Sequence, residues 1–467
     1  MIQADIAIIG AGPGGYVAAL RASQLGAKVV CIEKEALGGV CLNWGCIPTK
    51  ALLRSAEIYH LAKHGAAYGV LTGEVGFDWA AAQARKRKVV QQEVGGVGML
   101  LNRAGVQVVM GTAAFARANT LTVQMAGGGA DTVTADNILI ATGSRTLQVP
   151  IPGLDGPNVL DSTAALALEE LPASIVIIGG GAIGLEFASL FHTLGVQVTV
   201  VEMLPRLAPL MDAAIGEGLA WSFSSQGIEV MTGTRVTAVE HGSSGCRVLV
   251  QGEGGASAIE AEKVLSAIGR APNVEGLGLE TIGIKPGRKG IQVDNRLRTV
   301  APHVYAIGDV AEEGPMLAHV ASHQGIVAVE DALGHAAAMD YTAVPSCIFT
   351  LPEAAGVGLT EEEARQKGYD VQVGMFALPN NGKAVAMGET DGFVKVVAEA
   401  RHGALLGLHV VGPHASDLVL EGTLALGLEC TLDEIEHTIH PHPTLGEAIA
   451  EAALAARGRA LHLPRPR

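Results

Sequence analysis

One pattern occurs twice in this sequence and predicts an α/β fold with two Rossmann-like dinucleotide-binding domains. Each copy runs strand, glycine turn, helix, strand, acid. The span from the first glycine to the acid is the same in both, 10 to 33 and 179 to 202. A length of 467 residues agrees, because roughly 100–200 residues per domain leaves room for three or four domains.

Composition narrows the class. A chain with 49% hydrophobic and 17% charged residues is globular, not disordered. Its 61 glycines follow no three-residue period, which excludes a collagen-like repeat. The longest run without Lys, Arg, Asp or Glu, 314–329, holds two histidines and a proline, so no membrane span is expected there. The segment 171–201 carries one charge, Glu186, but Gly179-Gly180-Gly181 interrupts it, as in a buried strand–turn–helix–strand. The net charge of −15 repels phosphate backbones and argues against nucleic acid as a partner. The basic cluster Arg85-Lys86-Arg87-Lys88 reads as the solvated face of a helix. The chain enters an apolar strand by Ile6, leaving no room for a leader peptide, so a cytoplasmic location is expected.

The first unit opens with the strand Asp5-Ile6-Ala7-Ile8-Ile9 and the turn Gly10-Ala11-Gly12-Pro13-Gly14-Gly15. Gly10 permits the tight turn, Gly12 lets the backbone approach a pyrophosphate, and Gly15 lets helix and strand pack closely. The helix that follows offers unpaired N–H donors to the phosphates. The strand ending at Glu33 then places a carboxylate to accept from ribose hydroxyls.

Next comes Gly38-Gly39-Val40-Cys41-Leu42-Asn43-Trp44-Gly45-Cys46-Ile47-Pro48-Thr49-Lys50. Six cysteines in 467 residues are no disulfide scaffold, and Cys31, Cys246, Cys347 and Cys430 are scattered as packing residues would be. Cys41 and Cys46 are a close pair, which in a reducing compartment is more often catalytic or metal-binding than structural. No second cysteine pair is present to complete a zinc site. In a regular helix, residues five apart have Cα atoms roughly 8–9 Å apart. A disulfide needs roughly 4.4–6.8 Å. A bridge here therefore requires a distorted turn, which Gly45 permits; the alternative is two buried thiols. The nucleotide turn next door favours redox chemistry.

The second unit is Ser174-Ile175-Val176-Ile177-Ile178, then Gly179-Gly180-Gly181-Ala182-Ile183-Gly184, closing with Val198-Thr199-Val200-Val201-Glu202. Gly179, Gly181 and Gly184 take the three glycine roles. Glu202 would repel the 2′-phosphate of NADP, so NAD is expected here, with Arg206 read as a surface residue. Near the C-terminus, His437, His440 and His442 lie close to Pro441, Pro443 and Glu447. Their spacing matches no zinc pattern. A histidine followed five residues later by a glutamate fits a base oriented by a carboxylate.

The Cys41–Cys46 segment, the two glycine units and His442-Pro443-Thr444 together resemble the flavoprotein disulfide reductases, the pyridine nucleotide-disulfide oxidoreductase family. The resemblance runs from the first strand to about residue 455. Within the family the chain is most similar to the branch that oxidises protein-bound dihydrolipoyl groups. Ala141-Thr142-Gly143 resembles the segment returning the chain to the flavin domain. Tyr305-Ala306-Ile307-Gly308-Asp309 resembles the second flavin motif, and Pro315-Met316-Leu317-Ala318-His319 the stretch covering the flavin edge. Pro345-Ser346 and Thr350-Leu351-Pro352-Glu353 resemble the start of the interface domain.

The resemblance implies FAD held by Gly10, Gly12, Gly15, Glu33, Gly39, Thr142, Gly143, Asp309, Met316, Leu317, Ala318 and His319. It implies NAD held by Gly179, Gly181, Gly184, Glu202 and Gly269. It also implies a Cys41–Cys46 disulfide, a Lys50–Glu186 pair near the reactive edge of the flavin, and a His442–Glu447 dyad reaching the cysteine pair of the other subunit of a homodimer. The implied layout is a FAD-binding domain over 1–146, an NAD-binding domain over 147–269, a central domain over 270–341 completing the FAD site, and a C-terminal α+β interface or dimerisation domain over 342–467. The implied partner is the lipoyl domain of an acyltransferase, or a glycine cleavage carrier protein.

Rival readings are weaker. Mercuric and large thioredoxin reductases need C-terminal cysteines, and the last cysteine here, Cys430, precedes His442. Glutathione reductase prefers basic residues where Glu202 stands. A non-catalytic flavoprotein would not keep Cys41, Cys46, His442 and Glu447 together. The tail 457–467, with four arginines and two prolines, reads as a frayed terminus, or as a dock for an acidic partner.

Overall fold

The structure is a computed structural model that describes residues 1–243 and 245–464. The chain divides into two compact units. The first joins Met1–Leu52, Ala80–Gln148 and Gly269–Tyr341; the second joins Leu53–Trp79, Val149–Ile268 and Thr342–Arg467. No helix among the described residues is long and apolar enough to cross a membrane.

In the first unit, the strand Ile2–Ile9 pairs in parallel with Val29–Glu33 on one side and with Ala130–Ile140 on the other. Gln107–Arg117 extends the sheet beyond Val29–Glu33, and Val304–Ala306 extends it beyond Ala130–Ile140, both in parallel. Parallel strands covered on both faces read as continuous apolar runs. Val29–Glu33 is accordingly buried along its whole length, as are the last four residues of Ile2–Ile9. Gln107–Arg117 and Ala130–Ile140 are long enough to serve two ladders. Their far halves pair antiparallel with Thr120–Met125.

The second unit repeats this plan. Its parallel sheet runs Glu229–Met231, Gln197–Val201, Ser174–Ile178, Lys263–Ser266 and Val159–Leu160. An antiparallel meander, Arg235–His241, Cys246–Gly252 and Gly255–Ala261, stands beside it. A separate antiparallel sheet of five strands follows, in the order Ser346–Ile348, Glu353–Gly358, Leu405–Gly412, Phe393–Glu399, Val371–Ala377. Its core takes apolar residues from the strands and from the helices Ala415–Gly427 and Glu447–Ala456, among them Val396, Leu408, Val419 and Ile449. The result is a mixed α/β protein with two Rossmann-like sheets and a C-terminal α+β region.

Two expectations need correction. Arg85, Arg87 and Lys88 are exposed on the helix Trp79–Arg103, but Lys86 is buried. At 3.6 residues per turn, four consecutive side chains fan around most of a helix, and packing decides which of them faces inward. Burial, with the charge of Arg87 adding to it, lowers the Lys86 pKa. The described part of the tail is also not frayed. Arg457 pairs with Asp433, both the Leu461 and His462 amides donate to Glu451, and Leu463 packs on the C-terminal core. Arg465, Pro466 and Arg467 lie outside the described residues.

A buried ionic cluster fixes part of the second unit. The Lys395 ammonium lies 2.8 Å from Asp212 Oδ1 and 2.8 Å from Glu361 Oε2, with the Lys395 side chain 6% and that of Asp212 1% exposed. Asp212 also accepts from the Ala214 and Glu361 amides, capping the helix Ala213–Gln226. Burial opposes the charge on Asp212. The charges of His409 and Lys395 and the two amides outweigh it and hold the carboxyl below the usual range. Lys395, and then Arg365, hold Glu361 low in the same way. Lys395→Met leaves Asp212 buried without its cation. It is expected to cost about 3 kcal/mol, read as a lower midpoint of guanidinium unfolding at neutral pH. Because both carboxyls are depressed in the folded state, their contribution is complete at neutral pH and is lost as the pH falls through and below about 4. The variant should therefore lose less stability on acidification than the wild type.

Candidate active site

The two glycine turns share one geometry. Gly10 (φ +104°) and Gly179 (φ +113°) open them in the left-handed region. A Cβ on Gly10 would lie 2.3 Å from the Ala141 carbonyl oxygen, and one on Gly179 would lie 2.5 Å from that of Ala267. A Cβ on Gly15 would meet the Gly10 carbonyl oxygen at 1.9 Å, and one on Gly184 would meet that of Gly179 at 2.0 Å. Only glycine fits these four positions. Gly12 and Gly181 are different: a Cβ there would find its nearest protein atom at 4.0 Å in the first turn and none within 4 Å in the second. The space beside them is open toward the starts of the helices Pro13–Gln24 and Ala182–Thr193. Neither helix has a capping side chain or an acid in its first turn. Uncapped N–H groups beside open space suit the negative oxygens of a pyrophosphate.

Glu33 and Glu202 are also used alike. Glu33 accepts from the Ala11 amide at 2.7 Å and, with its other oxygen, from the Glu35 amide at 2.8 Å. Glu202 accepts from the Gly180 amide at 2.5 Å and from the Leu204 amide at 2.7 Å. Each acid latches its own turn; Glu33 Oε1 also accepts from the Ala36 amide, while Glu33 Oε2 and both Glu202 oxygens keep a lone pair for a ribose hydroxyl. Arg206, read as a surface residue, is partly exposed and pairs with Glu362 at 3.0 Å.

The cysteine pair is a disulfide with its Cα atoms 4.7 Å apart. The helix Gly39–Trp44 stops at Gly45 (φ −142°, ψ −106°), and a new helix, Cys46–Lys63, starts at once. The break brings Cys41 and Cys46 far closer than one regular helix would. The first of these helices is seated on the glycine turn. The Gly38 amide donates to the Ala11 carbonyl at 2.8 Å, and a Cβ on Gly39 would lie 2.8 Å from Gly12 Cα. Gly10, Gly12, Gly15, Glu33, Gly39, Cys41 and Cys46 thus form one continuous patch. Lys50 lies one turn beyond Cys46 on the same helix.

Further residues of the first unit gather on the sheet end. Thr142 donates through Oγ1 to the Asn273 carbonyl at 2.7 Å, and the Asn273 amide donates to the Gly143 carbonyl at 2.9 Å. Asp309 accepts from the Ser144 hydroxyl, which in turn accepts from Arg270 Nε at 2.7 Å. Sequence reasoning missed Ser144, Arg270 and Asn273, whose partners stand more than 120 residues away. Met316 and His319 are exposed, and Leu317 and Ala318 partly so, where the helix Ala318–Ala332 begins without a side-chain cap. That helix packs on Pro13–Gln24 so tightly that a Cβ on Gly325 would lie 2.6 Å from the Gly14 carbonyl oxygen.

In the second unit, Glu186 is buried on Ala182–Thr193 and accepts from the Phe349 amide at 3.1 Å. Gly269 (φ +151°), in the first unit, accepts at its carbonyl from the Leu147 amide at 3.0 Å. The C-terminal histidines do not converge. His437 Nδ1 meets the Asp433 carbonyl at 2.7 Å, and His440 Nε2 meets Glu421 Oε1 at 2.9 Å. His442 Nδ1 meets Glu447 Oε1 at 2.9 Å. The His442 side chain is 77% exposed, so Nδ1 is held while the rest of the ring is accessible. The other Glu447 oxygen accepts from the Thr444 amide at 2.9 Å. Burial opposes the charge on Glu447, but Thr444 and the two histidine rings outweigh it and hold the carboxyl low.

Comparison with known proteins gives these contacts a setting. The family described as pyridine nucleotide-disulphide oxidoreductase matches residues 4–325, and its dimerisation domain matches 344–453. A dihydrolipoyl dehydrogenase of Bacillus subtilis (strain 168) is 45% identical over 469 residues, covering 98% of this chain and 99% of the relative. One of Zymomonas mobilis is 43% identical over 461 residues, with 98% and 99% covered. Among solved structures, LpdA from Mycobacterium tuberculosis superposes with a TM-score of 0.89 at 29% identity, covering 97% of this chain and 99% of that one. The HOCl-induced flavoprotein disulfide reductase RclA from Escherichia coli gives 0.85 at 28%, covering 96% and 99%.

One count tests the pairing. Cys41 and Cys46 are bridged, and Cys31, Cys246, Cys347 and Cys430 stand outside any disulfide. A thiol reagent added to the chain unfolded without reductant is expected to titrate four thiols, and after full reduction six. Six from the outset would contradict the bridge.

Proposed function

The chain belongs to the pyridine nucleotide-disulphide oxidoreductase family, and we propose that it is a dihydrolipoyl dehydrogenase, oxidising dihydrolipoyl groups to lipoyl and reducing NAD⁺. The family uses FAD and NAD(H). The observation that carries the reading is the Cys41–Cys46 bridge seated directly on the first glycine turn.

The residues fit both cofactors. Gly10, Gly12, Gly15, Glu33 and Gly39, with Thr142, Gly143, Asp309 and the 316–319 segment, would hold FAD. Gly179, Gly181, Gly184, Glu202 and Gly269 would hold NAD. Open space at Gly12 and Gly181 and the uncapped helix starts support that assignment. We assign 1–146 and 270–341 to the FAD side, 147–269 to the NAD side and 342–467 to the subunit interface. When bound, FAD and NAD carry the electron pair; the protein binds, orients and moves protons.

On the dithiol side, His442 takes a proton from one substrate thiol, while Glu447 fixes the ring through Nδ1. The thiolate attacks Cys41 Sγ, the Cys41–Cys46 bond breaks, and a mixed disulfide forms. The second substrate sulfur displaces Cys41 and closes the cyclic disulfide. Two electrons have then passed from substrate to the cysteine pair, leaving Cys41 and Cys46 reduced. Cys46 is assigned the flavin-facing position, with Lys50 one turn beyond it on the same helix. The dimerisation-domain match supports a homodimer. We assign His442 to the cysteine pair of the other subunit, so that the site is complete only in the dimer. The substrate carrier is a lipoyl domain of an acyltransferase or a glycine cleavage carrier protein.

Anaerobic incubation of the purified yellow protein with dihydrolipoamide and NAD⁺ should form NADH rapidly, with NADP⁺ a poor substitute because of Glu202. Absence of turnover with flavin bound would move the substrate to another disulfide. His442→Ala is expected to lower dihydrolipoamide turnover by about 10²–10⁴-fold while NADH oxidation by an artificial acceptor continues. Equal loss of both rates would remove His442 from the role of base.

A further inference from the structure

A second histidine–carboxylate pair stands beside the first. His440 Nε2 lies 2.9 Å from Glu421 Oε1, and His440 Nδ1 lies 2.9 Å from the Thr438 carbonyl oxygen. Its side chain is 9% exposed. A neutral imidazole has one N–H and one lone pair. Here both nitrogens face acceptors, and neither acceptor can donate when Glu421 is ionised. A neutral ring would point its lone pair at an oxygen; a doubly protonated ring donates to both. The ring also lies against Gly446, where a Cβ would be 3.6 Å from His440 Cδ2. Gly446 precedes Glu447 at the start of the helix Glu447–Ala456.

From this geometry we infer that His440 is a standing imidazolium, locked by Glu421, that shares Glu447 with His442 and so keeps His442 free to accept a thiol proton at neutral pH. The inference rests on the dithiol-oxidising reading of His442 and extends it. His440 touches no substrate and acts as a positioning residue through Glu447. The charged and titratable groups facing it among the described residues are Glu421, from the helix Ala415–Gly427, and Glu447, from the helix Glu447–Ala456; Thr438 contributes a carbonyl. The hydrogen bond to Glu421 raises the His440 pKa above the ordinary histidine value, against the effect of burial. Glu447 in turn is held low by His442 and His440 together. A carboxylate facing a permanent cation supports a second cation less strongly. Without His440, more of the charge of Glu447 would act on the His442 ring that it holds through Nδ1.

The test is a titration of the histidine ring signals by NMR in the flavin-loaded dimer, together with a pH profile of kcat/KM for dihydrolipoamide. In the wild type, both His440 nitrogens should carry protons at pH 7. In His440→Asn, and independently in Glu421→Gln, the His442 midpoint should rise by about half a pH unit. The acid limb of kcat/KM should move with it. The rate at pH 6 should fall about threefold while the alkaline plateau stays unchanged. A neutral His440 at pH 7, or a His442 midpoint that does not move in either variant, overturns the inference. So does a rate that falls equally at every pH, which marks a purely structural role. If His440→Asn does not fold, Glu421→Gln decides by the same criteria. A wild type inactive toward dihydrolipoamide whose His442 midpoint still moves would refute the proposed substrate and leave the electrostatic coupling standing. An active wild type whose midpoint does not move would refute the coupling alone.

Discussion

Two backbones touch where Gly39 meets Gly12, and the rest of the first unit depends on that contact. A side chain at residue 39 would lie 2.8 Å from Gly12 Cα, so the helix carrying Cys41 could not approach the turn. With glycine at both positions, the Gly38 amide reaches the Ala11 carbonyl, while the Ala11 amide reaches Glu33. Strand end, turn and redox helix become one hydrogen-bonded piece. The turn is thereby registered to the sulfur pair through backbone contacts, which vary less than side-chain rotamers.

Much of this was legible in the sequence, for definite reasons. The glycine turns could be read because their steric demands admit one residue type. The repeated spacing could be read because the same strand–turn–helix–strand unit produces the same acid-to-turn hydrogen bond at Glu33 and Glu202. The break between Cys41 and Cys46 was announced by Gly45. Less local features stayed hidden. Ser144, Arg270 and Asn273 are ordinary residues in the chain and acquire meaning only when distant segments meet. The burial of Lys86 amid a basic run, and the anchoring of 457–463 by Asp433 and Glu451, depend equally on tertiary contacts that no local pattern encodes. His440 looked like a companion of His442, and Glu421, nineteen residues earlier, gave no sign of being its partner.

Charge is buried in two different ways in the second unit. Lys395 is enclosed by Asp212 and Glu361, a balanced group whose removal in part is costly. His440, Glu421, Glu447 and His442 form a looser series, graded from a nearly buried ring to an exposed one. The first arrangement resists change. The second leaves one imidazole accessible while a carboxylate holds its Nδ1.

The sulfur bridge is a chemical part and not a mechanical one. It closes a loop of only a few residues, most of them already fixed by the helix Gly39–Trp44. On the chain-entropy scale, which counts freedom taken from the unfolded chain, such a loop is worth about 2 kcal/mol, against about 5 for a loop of a hundred residues. The pair can therefore open and close at every cycle without the fold loosening around it. Its oxidation state is information passed between bound molecules, and the architecture does not have to be rebuilt each time it changes.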